Sequence, residues 1–156
     1  MIAAMREALL CACAASIGLL APAVRPLGVA LSAQGTRTFK ARLSPVPIDL
    51  AMQATVAGTG AVTASLVGSK LTINGTFEGL KSPATAATLR KSPVRGVRGP
   101  DLFAMTVTPA VGGSVSGSVD LSPQQIGDLQ GGRLYVQLSS EKAPEGNLWG
   151  WLLEKR

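Results

Sequence analysis

The chemistry open to this chain is limited first by what is missing. The 156-residue sequence contains no histidine, and its two cysteines, Cys11 and Cys13, lie near the N-terminus. Without histidine there is no base for a serine nucleophile of the triad type and no imidazole ligand for zinc or copper. We therefore expect no triad hydrolysis and no transition-metal site, and the sequence indicates no cofactor.

The carboxylates offer no substitute. Asp101, Asp120 and Glu145 are scattered along the chain and show no pairing of the kind used in glycoside hydrolysis. We expect a protein that is not an enzyme.

Two tryptophans are the side chains best suited to contacting a partner. Trp149 and Trp151 are separated by one residue and therefore share one face of a strand, opposite Leu148 and Leu152. Two interpretations stay open. The indoles belong to the core, or they form an exposed pair that stacks on sugar rings or anchors a protein partner.

The second candidate for partner binding is a basic segment, residues 90–100, with the sequence RKSPVRGVRGP. Its prolines and glycines predict a loop. Such a loop is either a solvated connection or an anion-binding loop, because the planar guanidinium suits sulfate, phosphate and carboxylate. Its candidate binding residues are Arg90, Lys91, Arg95 and Arg98.

The scaffold that must position these residues is predicted to be all-β. Apolar and polar residues alternate with a period of two over seven short segments, which is typical of half-buried antiparallel strands. We predict an antiparallel Greek-key β-sandwich or barrel of about seven short strands with one short helix. The predicted strands are 38–43, 60–67, 71–77, 102–107, 114–121, 134–139 and 147–152.

Several finer expectations accompany this fold. Ser122, Pro123 and Gln125 form the start signal of the helix, as N-cap, first helical residue and N3 partner. Residues 102–107 are apolar on both faces and are expected to form a central strand. Residues 51–58 have weak strand character, and residues 140–146 are expected to form a hairpin loop.

The N-terminal part is interpreted separately from the fold. Residues 1–33 combine Arg6, an apolar run and small residues near position 33, which predicts a signal peptide that is removed on export. A retained membrane anchor is the alternative, although the apolar run is at the short limit for a span. We expect a secreted or periplasmic domain of residues 34–156, without cysteine and so without a disulfide.

The charge balance restricts the partners. The full chain has a net charge of +6, and residues 34–156 keep 13 of the 15 basic and 8 of the 9 acidic residues. This modest excess suits a protein or an anionic polymer or glycan, and it is too small to argue for nucleic acid. Self-association through open strand edges is a further expectation, and a membrane is expected only through an uncleaved leader.

Several stretches, taken in order, resemble one known family. They are TFKARLS, FEGLKSPATAA, RGVRGP, LSPQQIGDLQGGRLYV and GNLWGWL. Together they resemble the chordin-type (CHRD) domain of many secreted bacterial proteins and of animal chordins, over residues 38–152. The resemblance implies a single β-domain.

The chain departs from that family at its characteristic polar residues. Typical members carry His-Ile-His where this chain has residues 88–90, Asn-Val-His-Thr at residues 137–140, and Glu, Arg and Gln at Asn147, Trp149 and Trp151. A glutamate usually precedes the Val-Pro pair at residues 46–47, and here it is absent. The metal or acid–base chemistry that such a cluster could support is therefore lost from this chain.

The three departing sets also share strand parity. They are Thr88 and Arg90; Tyr135, Gln137 and Ser139; and Asn147, Trp149 and Trp151. If they converge, they form one site. The function predicted from the sequence is a binding or adhesion module, with a structural subunit of an extracellular assembly and a degenerate relative of a metal-binding protein as alternatives.

Overall fold

The computed structural model describes residues 35–47 and 50–155. These residues belong to a compact unit that runs from Ala33 to Arg156. The predicted signal peptide, residues 1–33, lies outside the described residues.

The described residues form nine strands and one helix. In chain order these are β1 (Arg37–Pro45), β2 (Thr59–Val67), β3 (Lys70–Glu78), β4 (Ala84–Lys91), β5 (Asp101–Val107), β6 (Gly113–Asp120), α1 (Pro123–Gln130), β7 (Leu134–Ser140), β8 (Ala143–Trp151) and β9 (Leu153–Glu154).

Eight of the strands close into an antiparallel barrel, which confirms the predicted fold class. The strands follow the order β1-β2-β3-β6-β5-β4-β7-β8, and β8 returns to β1 through the pairs Ser44–Trp149 and Pro45–Leu148. The short β9 follows β8 and pairs with β1 at Phe39 and Lys40. In the sheet, strands β6, β5 and β4 lie between β3 and β7 in the reverse of their chain order. The connections from β3 to β4 and from β6 to β7 therefore each pass over two strands.

The barrel interior holds the main core. Alternate residues of the barrel strands point inward and are mostly apolar side chains, with glycine at a few positions such as Gly75 and Gly117, because a closed sheet has one face that is shielded from water. The largest fully buried members include Phe39, Leu43, Leu71, Ile73, Leu89, Leu134, Leu138 and Leu148.

Helix α1 begins as its sequence predicts. The Ser122 hydroxyl accepts from the Gln125 N–H, and the Gln125 side chain accepts from the Ser122 N–H at 2.8 Å. This reciprocal capping box satisfies two donors that the first turn leaves free. Leu129 anchors the helix in the main core, and Asp128 forms an ion pair with Lys91 of β4 at 2.6 Å. No helix within residues 35–47 and 50–155 is long and apolar enough to cross a membrane.

Two local predictions were wrong. The weak strand expected at 51–58 is a series of turns at 51–55 followed by residues without regular secondary structure. The hairpin loop expected at 140–146 is a tight turn at Glu141 and Lys142, after which β8 begins at Ala143. Pro144 does not prevent this strand, since proline is compatible with extended backbone away from a required N–H.

The strand at residues 101–107 lies between β4 and β6, which confirms the expected central strand. Although its residues are apolar on both faces, Met105 is its one buried side chain, and Ala104 and Thr106 are exposed. A barrel offers burial on its inner side alone unless a loop covers the outer side. No described loop covers this strand enough to bury its outer residues.

Candidate functional site

The three sets of residues that share strand parity do converge. The β4–β7 and β7–β8 registers place Gln137 between Thr88 and Trp149, and Tyr135 between Arg90 and Trp151. The sets therefore occupy neighbouring rows on the outer side of three adjacent strands. We call the outer side of β4, β7 and β8 the covered face.

Two loops cover this face: the first is described at residues 46–47 and 50–58, and the second spans residues 92–100. The first is held by Asn147, which is fully buried. The Val46 N–H donates to the Asn147 carbonyl at 3.0 Å, and the Ala57 N–H donates to Asn147 Oδ1 at 3.1 Å. Asn147 Nδ2 donates in turn to the Ser140 hydroxyl at 2.9 Å. Asn147 thus fixes both ends of the first loop to the barrel, one through its backbone carbonyl and the other through its side-chain amide.

An aromatic cluster lies beneath the first loop. Tyr135 stacks on Trp151 with ring centroids 5.1 Å apart, and Trp149 meets Trp151 edge to face at 4.6 Å. Val46 and Val56 of the loop pack against the cluster. This is a second hydrophobic core, outside the barrel.

The expectation of an exposed tryptophan pair is therefore wrong for Trp149, which is 8% exposed, while Trp151 is partly buried. The core interpretation of the two indoles fits their position better. Parity placed them correctly on the outer side of the barrel, but it could not show that a loop folds over that side. The indole N–H of Trp151 is buried and has no acceptor among the described residues.

A polar network continues the cluster towards β5. Arg90 forms an ion pair with Asp101 and donates to Gln137 Oε1 at 3.2 Å. Gln137 Nε2 donates to the Glu145 carbonyl at 3.0 Å. Burial disfavours the charged form of Arg90, but hydrogen bonds and charge attraction from Asp101 and Tyr135 outweigh it and raise the pKa of Arg90.

The four cations expected in one loop are distributed differently. Arg90 and Lys91 end strand β4 and are engaged by Asp101 and Asp128, so the loop prediction was wrong for both. The small residues at 84–89 that precede them are compatible with a β-strand, and this strand continues to Lys91. Arg95 and Arg98 remain in the loop.

Arg95 and Arg98 are both exposed. Arg98 lies 3.8 Å from the exposed carboxylate of Glu145. Arg95 has no ion pair with any described residue. The free positive charge of the predicted anion-binding loop is thus concentrated at Arg95.

The second loop has a defined shape. The Val97 N–H donates to the Val94 carbonyl at 3.1 Å, and Gly96 has φ of 93°, which closes a tight turn that requires glycine. We call residues 94–97 the VRGV turn. The Ser92 hydroxyl binds the carbonyls of both valines, with 2.6 Å to that of Val97.

The base of this loop is fixed as firmly as its turn. The Gly99 N–H donates to the Tyr135 hydroxyl at 3.1 Å, and the Lys91 N–H donates to the Pro100 carbonyl at 3.1 Å. Despite this order, Val94 is 65% exposed and Val97 is 50% exposed. The sequence predicted the arginines of this loop as candidate binding residues. It did not predict the exposed valines, although Gly96 indicated a turn between them.

Polar side chains of the covered face are engaged in hydrogen bonds: Arg90 donates to Gln137, and Asn147 and Tyr135 accept from backbone N–H groups of the two loops. The described residues contain no group of three histidine, cysteine, aspartate or glutamate side chains that could hold a metal ion. The two loops present aliphatic side chains to solvent, Leu50 in the first and Val94 and Val97 of the VRGV turn in the second.

Comparison with known proteins gives one family. The model of the CHRD domain matches residues 39–152. No curated protein and no solved structure matches the chain.

Proposed function

The chain belongs to the CHRD domain family, and from this premise we propose that it is an exported, non-enzymatic binding module that contacts its partner through the VRGV turn. Membership indicates a β-domain of the binding-module kind in general. The contact surface and the partner chemistry are argued from this chain.

The observation that carries the proposal is a rigid turn with exposed aliphatic side chains. Val94 and Val97 flank a hydrogen-bonded turn whose carbonyls and base are held by Ser92 and Tyr135. Exposed apolar groups of this kind mark interaction sites. A loop that is already ordered loses little conformational entropy when a partner binds.

The electrostatics favour an anionic partner. Arg95 is exposed and unpaired within the described part of the chain, and Arg98 has a single, exposed partner. The sequence has a net charge of +6. A partner that carries carboxylate, sulfate or phosphate groups gains both a favourable field and fork-shaped donors.

A non-enzymatic role is supported by the covered face. Its Arg90, Gln137 and Tyr135 side chains are engaged in hydrogen bonds that hold strands and loops together. Groups used in this way are poorly placed to move protons or to bind a reacting atom.

Assembly through strand edges loses its support in the closed barrel. Each of the eight barrel strands has a neighbour on both sides. Without an open edge, strand addition between copies has no template there. The structural-subunit alternative therefore has no observation in its favour.

The test uses dextran sulfate as an anionic polymer and uncharged dextran as its control. The domain should bind dextran sulfate, and R95S/R98S should weaken that binding at least roughly five-fold. The matched control is K40S/R42S, which removes two exposed cations from strand β1. Equal losses in both double variants would contradict a contact at the VRGV turn, and no binding by the unaltered protein would contradict an anionic polymer as the partner.

A further inference from the structure

The VRGV turn combines features that suit a lipid surface. We propose that it docks the domain on an anionic phospholipid surface, with its aliphatic side chains entering the headgroup region and its arginine meeting phosphate. This inference rests on the proposed function and names the partner class. It also goes beyond the expectation that a membrane is reached only through an uncleaved leader.

The turn brings its aliphatic groups together. Val94 and Val97 are joined by the hydrogen bond that closes the turn, which holds the first and last residues of a β-turn within about 7 Å. Arg95 occupies the position between them at the tip. Two exposed valines therefore flank one exposed guanidinium.

A third aliphatic group extends this surface. Gly132 has φ of 66°, and a Cβ placed on it would lie 3.0 Å from Arg95 Nη2 and 3.2 Å from Leu153 Cδ2. Arg95 and Leu153 therefore adjoin the same glycine. Leu153 is 42% exposed, and the neighbouring Arg133 side chain is 57% exposed, with Nη1 3.5 Å from Asp128 Oδ1. The docking surface consists of Val94, Arg95, Val97, Arg133 and Leu153.

Its composition matches the boundary of an anionic bilayer. Short aliphatic side chains gain by leaving water for the acyl boundary, and arginine near the surface is attracted by anionic headgroups. The aliphatic and the electrostatic contributions to binding are each modest, so reversible peripheral binding is expected rather than stable anchoring. The same cations would repel a second copy presenting the same surface.

A glycan partner fits this surface less well. Stacking on sugar rings needs a flat aromatic platform, but Trp149 and Tyr135 are buried beneath residues 46–58. The three aliphatic groups of the docking surface offer no hydrogen bond to sugar hydroxyls. The lipid surface is thus the occupant that uses both the valines and Arg95.

The experiment is vesicle co-sedimentation of the full chain and its variants. One vesicle contains phosphatidylglycerol and phosphatidylcholine in equal amounts, and the other contains phosphatidylcholine alone. Binding to the neutral vesicle is subtracted, so that residues 1–33, which are common to all variants, do not decide the comparison. The test variant is V94S/V97S.

The matched control is V67S/V111S, because Val67 and Val111 are 48% and 50% exposed elsewhere on the domain. V94S/V97S should reduce the partition coefficient on anionic vesicles at least about five-fold, and V67S/V111S should leave it unchanged. Thermal melts of both variants should match the unaltered protein, because all four valines are exposed.

Three results would overturn the lipid proposal. They are unchanged binding by V94S/V97S, an equal loss in V67S/V111S, and binding of dextran sulfate through Arg95 and Arg98 without binding of anionic vesicles. The last result would leave the proposed binding module standing with a polymer as its partner. A chain that binds neither probe would overturn both proposals.

Discussion

Two outer faces of the same barrel differ in their exposure to solvent. On the outer side of β2, β3 and β6, small polar residues such as Thr63, Asn74 and Ser116 sit in register and are exposed. On the covered face, Gln137 and Trp149 sit in register and are buried under two loops. The alternation of apolar and polar residues along a strand distinguishes the inner from the outer side of the barrel. The outer side nevertheless becomes buried wherever a loop folds back over it.

The comparison also shows how each face is built. The outer side of β2, β3 and β6, which we call the open face, needs only side chains that tolerate water. The covered face needs a tether, and Asn147 supplies it by binding two backbone groups of the first loop and the Ser140 hydroxyl. We expect substitutions on the two faces to differ accordingly, and three predictions follow in decreasing order of effect.

Truncating the buried indole should give the largest effect. Trp149→Ala leaves a cavity between the barrel and the first loop, and should lower the free energy of unfolding by about 3–5 kcal/mol. Thr63→Ala on the open face should change it by less than about 0.5 kcal/mol. Chemical denaturation measures both, and a small change in Trp149→Ala would show that the covered face is not a core.

Removing the tether should give an intermediate effect. Asn147→Ala leaves the Ala57 N–H and the Ser140 hydroxyl without their partner, so a loss of about 2–3 kcal/mol is expected. Limited proteolysis should then cut within residues 46–58 more readily. Asn74→Ala, at an exposed site of β3, is the matched control, and similar stability losses in the two variants would remove the distinction between the faces.

The smallest effect should come from the unpartnered indole N–H. Trp151→Phe keeps a ring beside Tyr135 and removes a buried donor without an acceptor, so the stability change should stay below about 1 kcal/mol. Tyr135→Phe leaves the Gly99 N–H unpaired and should lose about 1–2 kcal/mol. Denaturation curves in which Trp151→Phe is the weaker protein would mean that its N–H has a partner.

The sequence predicted well what depends on near neighbours. Ser122 and Gln125 are three residues apart, and their reciprocal cap was predictable from that spacing. Seven of the eight barrel strands followed from alternation, and β4 was missed. Shared parity placed Thr88, Gln137 and Trp149 each on one side of its strand, and the strand registers bring the three together.

What the sequence could not show depends on distant contacts. The burial of Trp149 requires the first loop to return, and that loop is held by a bond between Ala57 and Asn147, 90 residues apart. No local sequence pattern at residues 46–58 predicts a hydrogen bond to Asn147. The same holds for Lys91, whose charge is taken by Asp128 of the helix rather than left free in a loop.

The closure of the barrel between its first and last strands has a consequence for how the protein folds. Ser44 pairs with Trp149, so this contact must join chain segments roughly a hundred residues apart, and pairings of that kind form slowly. During synthesis the sheet cannot close until the C-terminal strand has been made. Until β8 is made, β1 and β7 each present an unpaired edge, and this is the period in which the chain is most exposed to aggregation.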